Sequence, residues 1–362
     1  MRFIHTGDLH IGKKINEIDL ISDQKYVLSQ IEAYTEKADA LIIAGDSYDV
    51  PVPSGEAMSV YADFIEAVAE KGKKIFAISG NHDSNDRLSH MSGFMKKSGY
   101  YVSDKFNGSL QKIELSDDFG RLNLYLLPFV KPVNVSTFTG EKYENTGDAI
   151  KAILDNTDID YNERNILVIH QYVIPEISEE GYIGTLEMFE STILKKFDYV
   201  AVGHIHSPAS LSYDHIRYCG SPLKYSMNEK SDKKSVTLVE LKEKGNISIE
   251  TLPLTPLRDM REVKGTVEEL LSMSPSDDYV SVIATDEDIS PDARISVSTV
   301  FPNMIKFSVE NSKTGFISEE IEHLEEKTKT DLFKEFYMSV NGGVEPSDMH
   351  MELFDSVIKE II

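Results

Sequence analysis

Five short apolar runs between Phe3 and His206 each stop at a polar group of the same chemical kind. FIH (3–5) leads to Asp8-Leu9-His10, and ALIIAGD (40–46) to Gly45-Asp46-Ser47-Tyr48-Asp49. KKIFAISG (73–80) leads to Gly80-Asn81-His82-Asp83. NILVIHQ (165–171) carries His170, and YVAVGHIH (199–206) ends in Gly203-His204-Ile205-His206. Compact runs of this kind read as buried strands. In a layered α/β fold the carboxyl ends of strands open on one crevice, so residues far apart in the chain can share a site. Five of the ten His stand at these ends.

The segments between the runs define the fold class. Leu20, Gln24, Val27, Leu28, Ile31 and Tyr34 recur at helical spacing. Residues 53–72 read as a helix with Ser54 as N-cap and Gly72 as its stop, and a short helix is expected near 86–97. This βαβαβ order predicts parallel strands in an α/β domain. SLQKIEL (109–115) and RLNLYLLPF (121–129) then follow each other without a helix, and IRYCG, SVTLVEL and ISIETLPL follow Pro208. A mixed core of two packed sheets with outer helices accommodates them. Two prolines in PLTPLRD (253–259) mark a boundary. Beyond it, VEELLSM (267–273), VSVIA (280–284) and IKFSVE (305–310) predict a small α+β domain. From about 316 the pattern turns helical, with Leu353, Phe354, Val357, Ile358, Ile361 and Ile362 on one face of a final helix.

Composition limits the function classes. The single cysteine, Cys219, allows no internal disulfide and fits a reducing compartment, the cytoplasm; it reads as a core residue. No apolar stretch approaches the roughly 20 residues of a membrane helix, so no membrane role is expected. The net charge of −24 opposes unaided binding to polyanions. A nucleic-acid role must therefore use bound cations, basic patches or a partner. From Glu319 onward twelve acidic residues face four Lys, whereas Lys13, Lys14, Lys224, Lys230, Lys233 and Lys234 lie near the motifs. Lys13 and Lys14 read as part of a solvated loop.

Asp, His and Asn at the strand ends supply oxygen and nitrogen donors and no thiolate. That set suits Mn, Fe or Zn better than Ca or a Cys-type zinc site. It also exceeds what one ion needs. Two ions about 3.5–4 Å apart, sharing a carboxylate, would use it all and hydrolyse a phosphoester with activated water. Gly45, Gly80 and Gly203 precede donors at sharp strand exits, where positive φ or close backbone approach is required. Each fragment alone is ordinary: Asp-x-His a surface turn, Gly-Asn-His-Asp an Asx turn, His170 a packed histidine. All five in order, each after a strand, point to metal.

In that order, D-x-H, GD-x-x-D, GNHD, H and GH-x-H resemble the calcineurin-like metallophosphoesterases over residues 1 to about 255. The resemblance implies a four-layer α/β sandwich, two mixed sheets flanked by helices. It implies one ion held by Asp8, His10, Asp46 and His206, and another held by Asp46, Asn81, His170 and His204, with Asp46 bridging. Successive side chains leaving a strand point different ways. The resemblance accordingly implies that His82 is no ligand but stabilises the phosphoryl transition state or protonates the leaving oxygen, with Asp49 orienting its imidazole.

HQYV (170–173), CGSPLKYSMNEK (219–230), TPLRDMR (255–261) and LFKEFYMSVNG (332–342) are similar to the SbcD family of nuclease subunits, and the similarity covers nearly the whole chain. It implies a manganese-dependent DNA endonuclease and 3′→5′ exonuclease serving DNA repair, recombination and replication. It implies a homodimer that forms a heterotetramer with an SbcC-type ATPase. The implied domains are a nuclease domain at 1–255, a DNA-contacting cap at 256–315 and a helical, ATPase-docking tail at 316–362. The alternatives are a metallophosphoesterase acting on a nucleotide or phosphomonoester, and a non-catalytic scaffold. Against them, Val50-Pro51 stands where protein phosphatases carry Arg-Gly, and every donor is present.

The charge argument gives one expectation. At physiological salt the isolated chain binds duplex DNA only weakly in a fluorescence anisotropy titration, and nanomolar affinity would contradict it.

Overall fold

The structure, a computed structural model, describes residues 1–90, 92–176 and 187–312, and beyond them positions 333–334, 337–338, 345–347, 350–351 and 354. The chain divides into two compact units, Met1–Arg261 and Glu262–Ile362.

The first unit is built on two six-stranded mixed sheets. One runs in the order Ile247–Pro253, Ser235–Leu241, Arg2–Thr6, Ala40–Ala44, Lys74–Ile78, Tyr100–Val102. Its last four strands are parallel and the first two form an antiparallel ribbon at the edge. The other runs Ala209–Ser210, Ile216–Tyr218, Tyr199–Gly203, Arg164–His170, Gly120–Leu127, Gln111–Asp117, with parallel strands inside and an antiparallel pair at each edge.

Alternation along the strands explains why the central runs are apolar throughout. Ala40, Ile42 and Ala44 of one sheet, and Ile166 and Val168 of the other, fill the seam with Phe3, Phe76, Leu124 and Tyr199. Leu167 and Ile169 turn the other way, against Ala149, Ile150 and Ile153 of helix Thr146–Asp155. Helices Ile21–Tyr34 and Gly55–Glu70 pack together on the outer side of the first sheet and bury Val27, Leu28, Ile31, Val60, Phe64 and Val68. A strand buried on both faces needs apolar residues at every position. Each fully buried Ile, Leu or Val contributes about 1.5–3 kcal/mol.

Ser54 caps the second helix by accepting from the Ala57 amide at 3.1 Å, and Gly72 follows its end at φ 71°. The expected helix near 86–97 is instead two short ones, Asn85–Leu88 and Ser92–Met95. Short polar side chains compete there for the backbone: Ser89 donates to the Asn85 carbonyl. Helix Pro132–Thr139 had no clear helical signal, because Val, Thr and Asn are weak helix formers. Helix Thr146–Asp155 did carry one, an Asn145 cap followed by Ala149, Ile150 and Ile153 on one face, and is an addition to the expected elements.

The second unit carries a three-stranded sheet, Met260–Gly265, Tyr279–Ala284 and Met304–Val309, whose first strand crosses the division. Helices Val267–Ser272 and Ala293–Ser298 close its core of Val263, Leu270, Val280, Val282, Val297 and Phe301. Thr266 and Glu269 cap the first of these helices reciprocally. The expected final helix lies, apart from Phe354, outside the described residues. Among the described residues no helix is long and apolar enough to cross a membrane.

Arg164 ties the two sheets together at the end away from the strand exits. Its five N–H groups are all used. They reach Asp117 Oδ1 and Oδ2 at 2.6 and 3.1 Å, and the carbonyls of Gly120, Arg121 and Lys242 at 2.6, 3.1 and 2.8 Å. The Arg164 hydrogen bonds hold the Asp117 carboxyl well below the usual range. A depressed carboxyl pKa contributes stability above the unfolded-state value of about 4, and that contribution is lost as pH falls toward the folded value. Asp117→Asn should therefore lower stability at pH 7 by about 2–4 kcal/mol, with a smaller deficit at pH 3 in denaturant unfolding.

Candidate metal centre

The loops leaving Arg2–Thr6 and Ala40–Ala44 do not separate. Asp8 N, His10 N and Ile11 N donate to the carbonyls of Gly45, Asp46 and Ser47, each at 3.0 Å. This continued ladder sets Asp8 and His10 opposite Asp46. Asp8, His10, Asp46 and His204 have φ of 50°, 45°, 47° and 104°, and they are four of the five non-glycine residues with positive φ among those described. Such backbone costs about 1–3 kcal/mol per residue and persists only where the surroundings enforce it.

The second sheet enters from the other side of the seam. His204 N donates to both Asp8 carboxylate oxygens at 3.0 and 3.1 Å, joining the two sheets through a donor residue. His170 Nδ1 donates to the Ala44 carbonyl at 2.8 Å. This crossing leaves no room for side chains on the glycines: a Cβ on Gly45 would strike His170, and one on Gly203 the Ala44 carbonyl. Gly80 lies against Asp46 in the same way.

Asp8, His10, Asp46 and His170 are buried, while Asn81 stands at the exposed rim. His10 Nε2 lies 3.1 Å from His206 Nε2 and 3.6 Å from Asp46 Oδ2. His170 Nε2 lies 3.3 Å from Asp46 Oδ2 and 3.0 Å from Asn81 Oδ1, which is also 3.0 Å from His204 Nδ1. Donor atoms of Asp8, His10 and His206 lie within 4.8 Å of one another, as do those of Asp8, Asp46 and His170, and those of His10, Asp46 and His82.

These contacts test whether a cation fits. His170 Nδ1–H is used on Ala44, so in the neutral ring Nε2 presents a lone pair to two further acceptors, Asp46 and Asn81. A proton or a metal ion has to sit among them. Burial alone would lower the His170 pKa, but Asp46 outweighs it and pushes the value up to about 9. Burial opposes ionisation of Asp46, yet His170 and His10 hold it below the usual range, whereas burial pushes Asp8 up. Burial, then His170, lowers His204 to about 4 and leaves its ring neutral and able to ligate. Across the centre, His10 and His206 direct Nε2 at each other while their Nδ1 atoms face carboxylates. Oxygen and imidazole donors without sulfur suit a divalent cation.

His82 stands beside this set. Its ring packs edge-on to His10, with centroids 4.8 Å apart, and its amide donates to Asp46 Oδ1 at 2.9 Å. Its Nδ1 is held by Asp49 at 2.8 Å, but the partner atom is the main-chain carbonyl. The Asp49 carboxylate goes elsewhere, 2.7 Å from Lys13 Nζ and 3.3 Å from His10 Nδ1. Lys13 is thus no solvated loop residue: its amine is bound and also lies over the Tyr225 ring. Cys219 is buried beneath Gly7.

Several supporting residues escaped sequence reasoning. Asp83 accepts from the amides of Ser47, Tyr48 and Gly80 and pins two motif loops together. Gln24 donates to the His10 carbonyl, Tyr225 to that of Leu9. Glu229 meets His206 Nδ1 at 3.1 Å, and buried Lys234 meets Glu229 at 2.6 Å. The GSPLKYS stretch signalled Tyr225 only as a resemblance, and Gln24 read as one more helix residue.

A family model described as calcineurin-like phosphoesterase matches residues 1–208, and one described as type 5 capsule protein repressor C-terminal domain, labelled SbcD_C, matches 256–341. The fold and donor set therefore define a metal-dependent phosphoesterase. The SbcD component of nuclease SbcCD from Staphylococcus epidermidis is 29% identical over 98% of this chain and 96% of its own length. The Staphylococcus saprophyticus protein of the same name is 30% identical over 94% of both chains. The chain belongs to the SbcD family of calcineurin-like phosphoesterases. A solved structure from Thermus thermophilus aligns at 12% identity over 69% of this chain and 98% of its own, with a TM-score of 0.39, too slight a likeness to argue from.

The packing at Gly80 gives a test. Gly80→Ala should lower stability by about 1–3 kcal/mol, read from denaturant midpoints, because Asp46 must shift. The same variant should bind divalent metal more weakly in calorimetric titration.

Proposed function

We propose that this chain is a two-metal DNA nuclease, an endonuclease and 3′→5′ exonuclease, that works in the cytoplasm with an SbcC-type ATPase in DNA end processing, repair and recombination. The observation that carries the reading is Asp46, approached by His10 from one side and His170 from the other. One ion would lie among Asp8, His10, Asp46 and His206, and the other among Asp46, Asn81, His170 and His204. Mn2+ is the ion we assign: the donor chemistry admits Mn, Fe or Zn, and the family resemblance favours Mn. Bound there, such ions supply Lewis acidity toward the scissile phosphate and lower the pKa of water.

The chain's own residues do the rest. Asp8 and Asp46 provide the negative charge that collects cations in a strongly acidic protein. His82, fixed through Nδ1 by the Asp49 carbonyl, is left with Nε2 to hold a phosphoryl oxygen or give a proton to the leaving oxygen. Asp49 acts twice, positioning His82 with its carbonyl and His10 with its carboxylate.

We assign the nuclease domain to 1–255, the DNA-contacting cap to 256–315 and the ATPase-docking segment to 316–362. A second copy would cover the apolar groove lined by Met58, Ile65, Phe94 and Met95, beside exposed Val50 and Val52, giving the homodimer of a heterotetramer. The names of the staphylococcal relatives support the nuclease and partner assignments.

The deciding assay is Mn2+-dependent cleavage of circular single-stranded DNA against phosphate release from a monoester, with and without the ATPase and ATP. The two neighbours in the GNHD motif should then part company. His82→Ala should keep its full Mn2+ content while cleavage falls about 10²–10⁴-fold. Asn81→Ala should lose one ion by elemental analysis. Loss of metal from the His82 variant would overturn the assignment.

A further inference from the structure

We propose that the two halves of the centre hold their ions unequally, and that Glu229, anchored by Lys234, makes the Asp8–His10–Asp46–His206 half the tighter one. This rests on the two-ion reading above and asks what stands behind each imidazole.

In the first half a carboxylate stands behind each ring, hydrogen-bonded at His206 and at ion-pair distance at His10. Glu229 Oε1 lies 3.1 Å from His206 Nδ1, and Asp49 Oδ1 lies 3.3 Å from His10 Nδ1. A carboxylate behind an imidazole keeps the proton on Nδ1, turns the Nε2 lone pair inward and raises its basicity. Both Nε2 atoms do point inward, 3.1 Å apart. In the second half the hydrogen bond behind His170 is to a neutral group, from Nδ1 to the Ala44 carbonyl, and the face of the His204 ring stacks on Phe129, with centroids 6.4 Å apart. The donors differ in the same direction: Asp8 and Asp46 serve the first half, whereas Asp46 and the uncharged Asn81 serve the second. A divalent cation interacts more strongly with the first arrangement.

Glu229 and Lys234 are built for this position. Their side chains are 8% and 4% exposed. The carboxylate divides its two oxygens: Oε2 takes Lys234 Nζ at 2.6 Å, and Oε1 meets His206 Nδ1 and accepts from Ser226 Oγ at 3.2 Å. Lys234 Nζ also donates to the His206 carbonyl at 2.9 Å, so one amine steadies both the main chain of the histidine and the partner of its ring. Ser221 Oγ and the Tyr225 amide complete the hold on Oε2 at 3.3 Å each. A buried ion pair adds little stability by itself. Its position behind a donor histidine gives it a use that stability does not. Behind His10, Lys13 Nζ likewise meets the Asp49 carboxylate, at 2.7 Å. Glu229 is in this sense a positioning residue.

Calorimetric titration of the metal-free full chain with Mn2+ tests the inference. Two steps of different affinity are expected. Glu229→Gln should weaken the tighter step about 10–100-fold and leave the weaker one unchanged. Asn81→Ala should remove the weaker step and spare the tighter. Because Glu229→Gln leaves the buried Lys234 ammonium with Asp232 alone as a carboxylate partner, at 3.2 Å, the double variant E229Q/K234M is titrated beside it, and both are melted without metal. The double variant should melt like the parent yet keep the weakened step. An unchanged tighter step in Glu229→Gln, or recovery of full affinity in the double variant, would overturn the inference. If the parent chain binds no Mn2+ at all, the metal reading falls, and this inference with it.

Discussion

A carboxylate buried where two sheets meet has to be answered by positive charge, and much of the first unit is arranged around that requirement at Asp46. Its neighbours are acceptors as well: the Asn81 oxygen, the inward nitrogen of His170 and the inward nitrogen of His10. Crowding so many acceptors costs free energy. The backbone at Asp8, His10, Asp46 and His204 stores more. The apolar seam on which the two loops and the two sheets close supplies the offsetting stability, with Phe3, Phe76, Leu124 and Tyr199 at full burial.

The centre is held from several directions, each by a different part of the chain. Asp83 binds the second and third motifs to each other, and Asp8 binds the first to the last through the His204 amide. Gln24 reaches in from the first helix to hold the His10 carbonyl. Behind the His10–His206 pair stands the segment from Ser221 to Lys234, with Tyr225 edge-on to both rings. Phosphoester chemistry needs donors at the front. This back wall decides how firmly they are aimed, and it is where family identity was most visible in the sequence.

Legibility followed the physics of each element. The central strands were readable because burial on both faces demands unbroken apolar runs, and the helix at 55–70 because Ser54 and Gly72 mark its ends chemically. The helix at 132–139 was not, since tertiary packing rather than propensity makes it helical. The one at 146–155 was legible in its Asn145 cap and apolar face, but is not among the expected elements. The strand-end Asp, His and Asn residues that the fold brings together could be singled out because few residue types suit hard or borderline cations. The roles of Asp83, inside the GNHD motif, and of Glu229 and Lys234 were not legible: a carboxylate or amine that positions a loop looks in sequence like any other acid or lysine. Asp49 was singled out beside His82, but which of its atoms meets the ring was not legible, because only coordinates separate a carbonyl from a carboxylate of the same residue.

The sequence by itself determined the alternation of layers, the donor chemistry and the family, all of which depend on residue type and order along the chain. Tertiary structure decided which donors share Asp46, which nitrogen of each histidine faces inward and what stands behind it. Those depend on distances of a few ångströms between residues far apart in the chain, as between Ala44 and His170 or Asp8 and His204. Such distances exist only once the two sheets have closed on their common core.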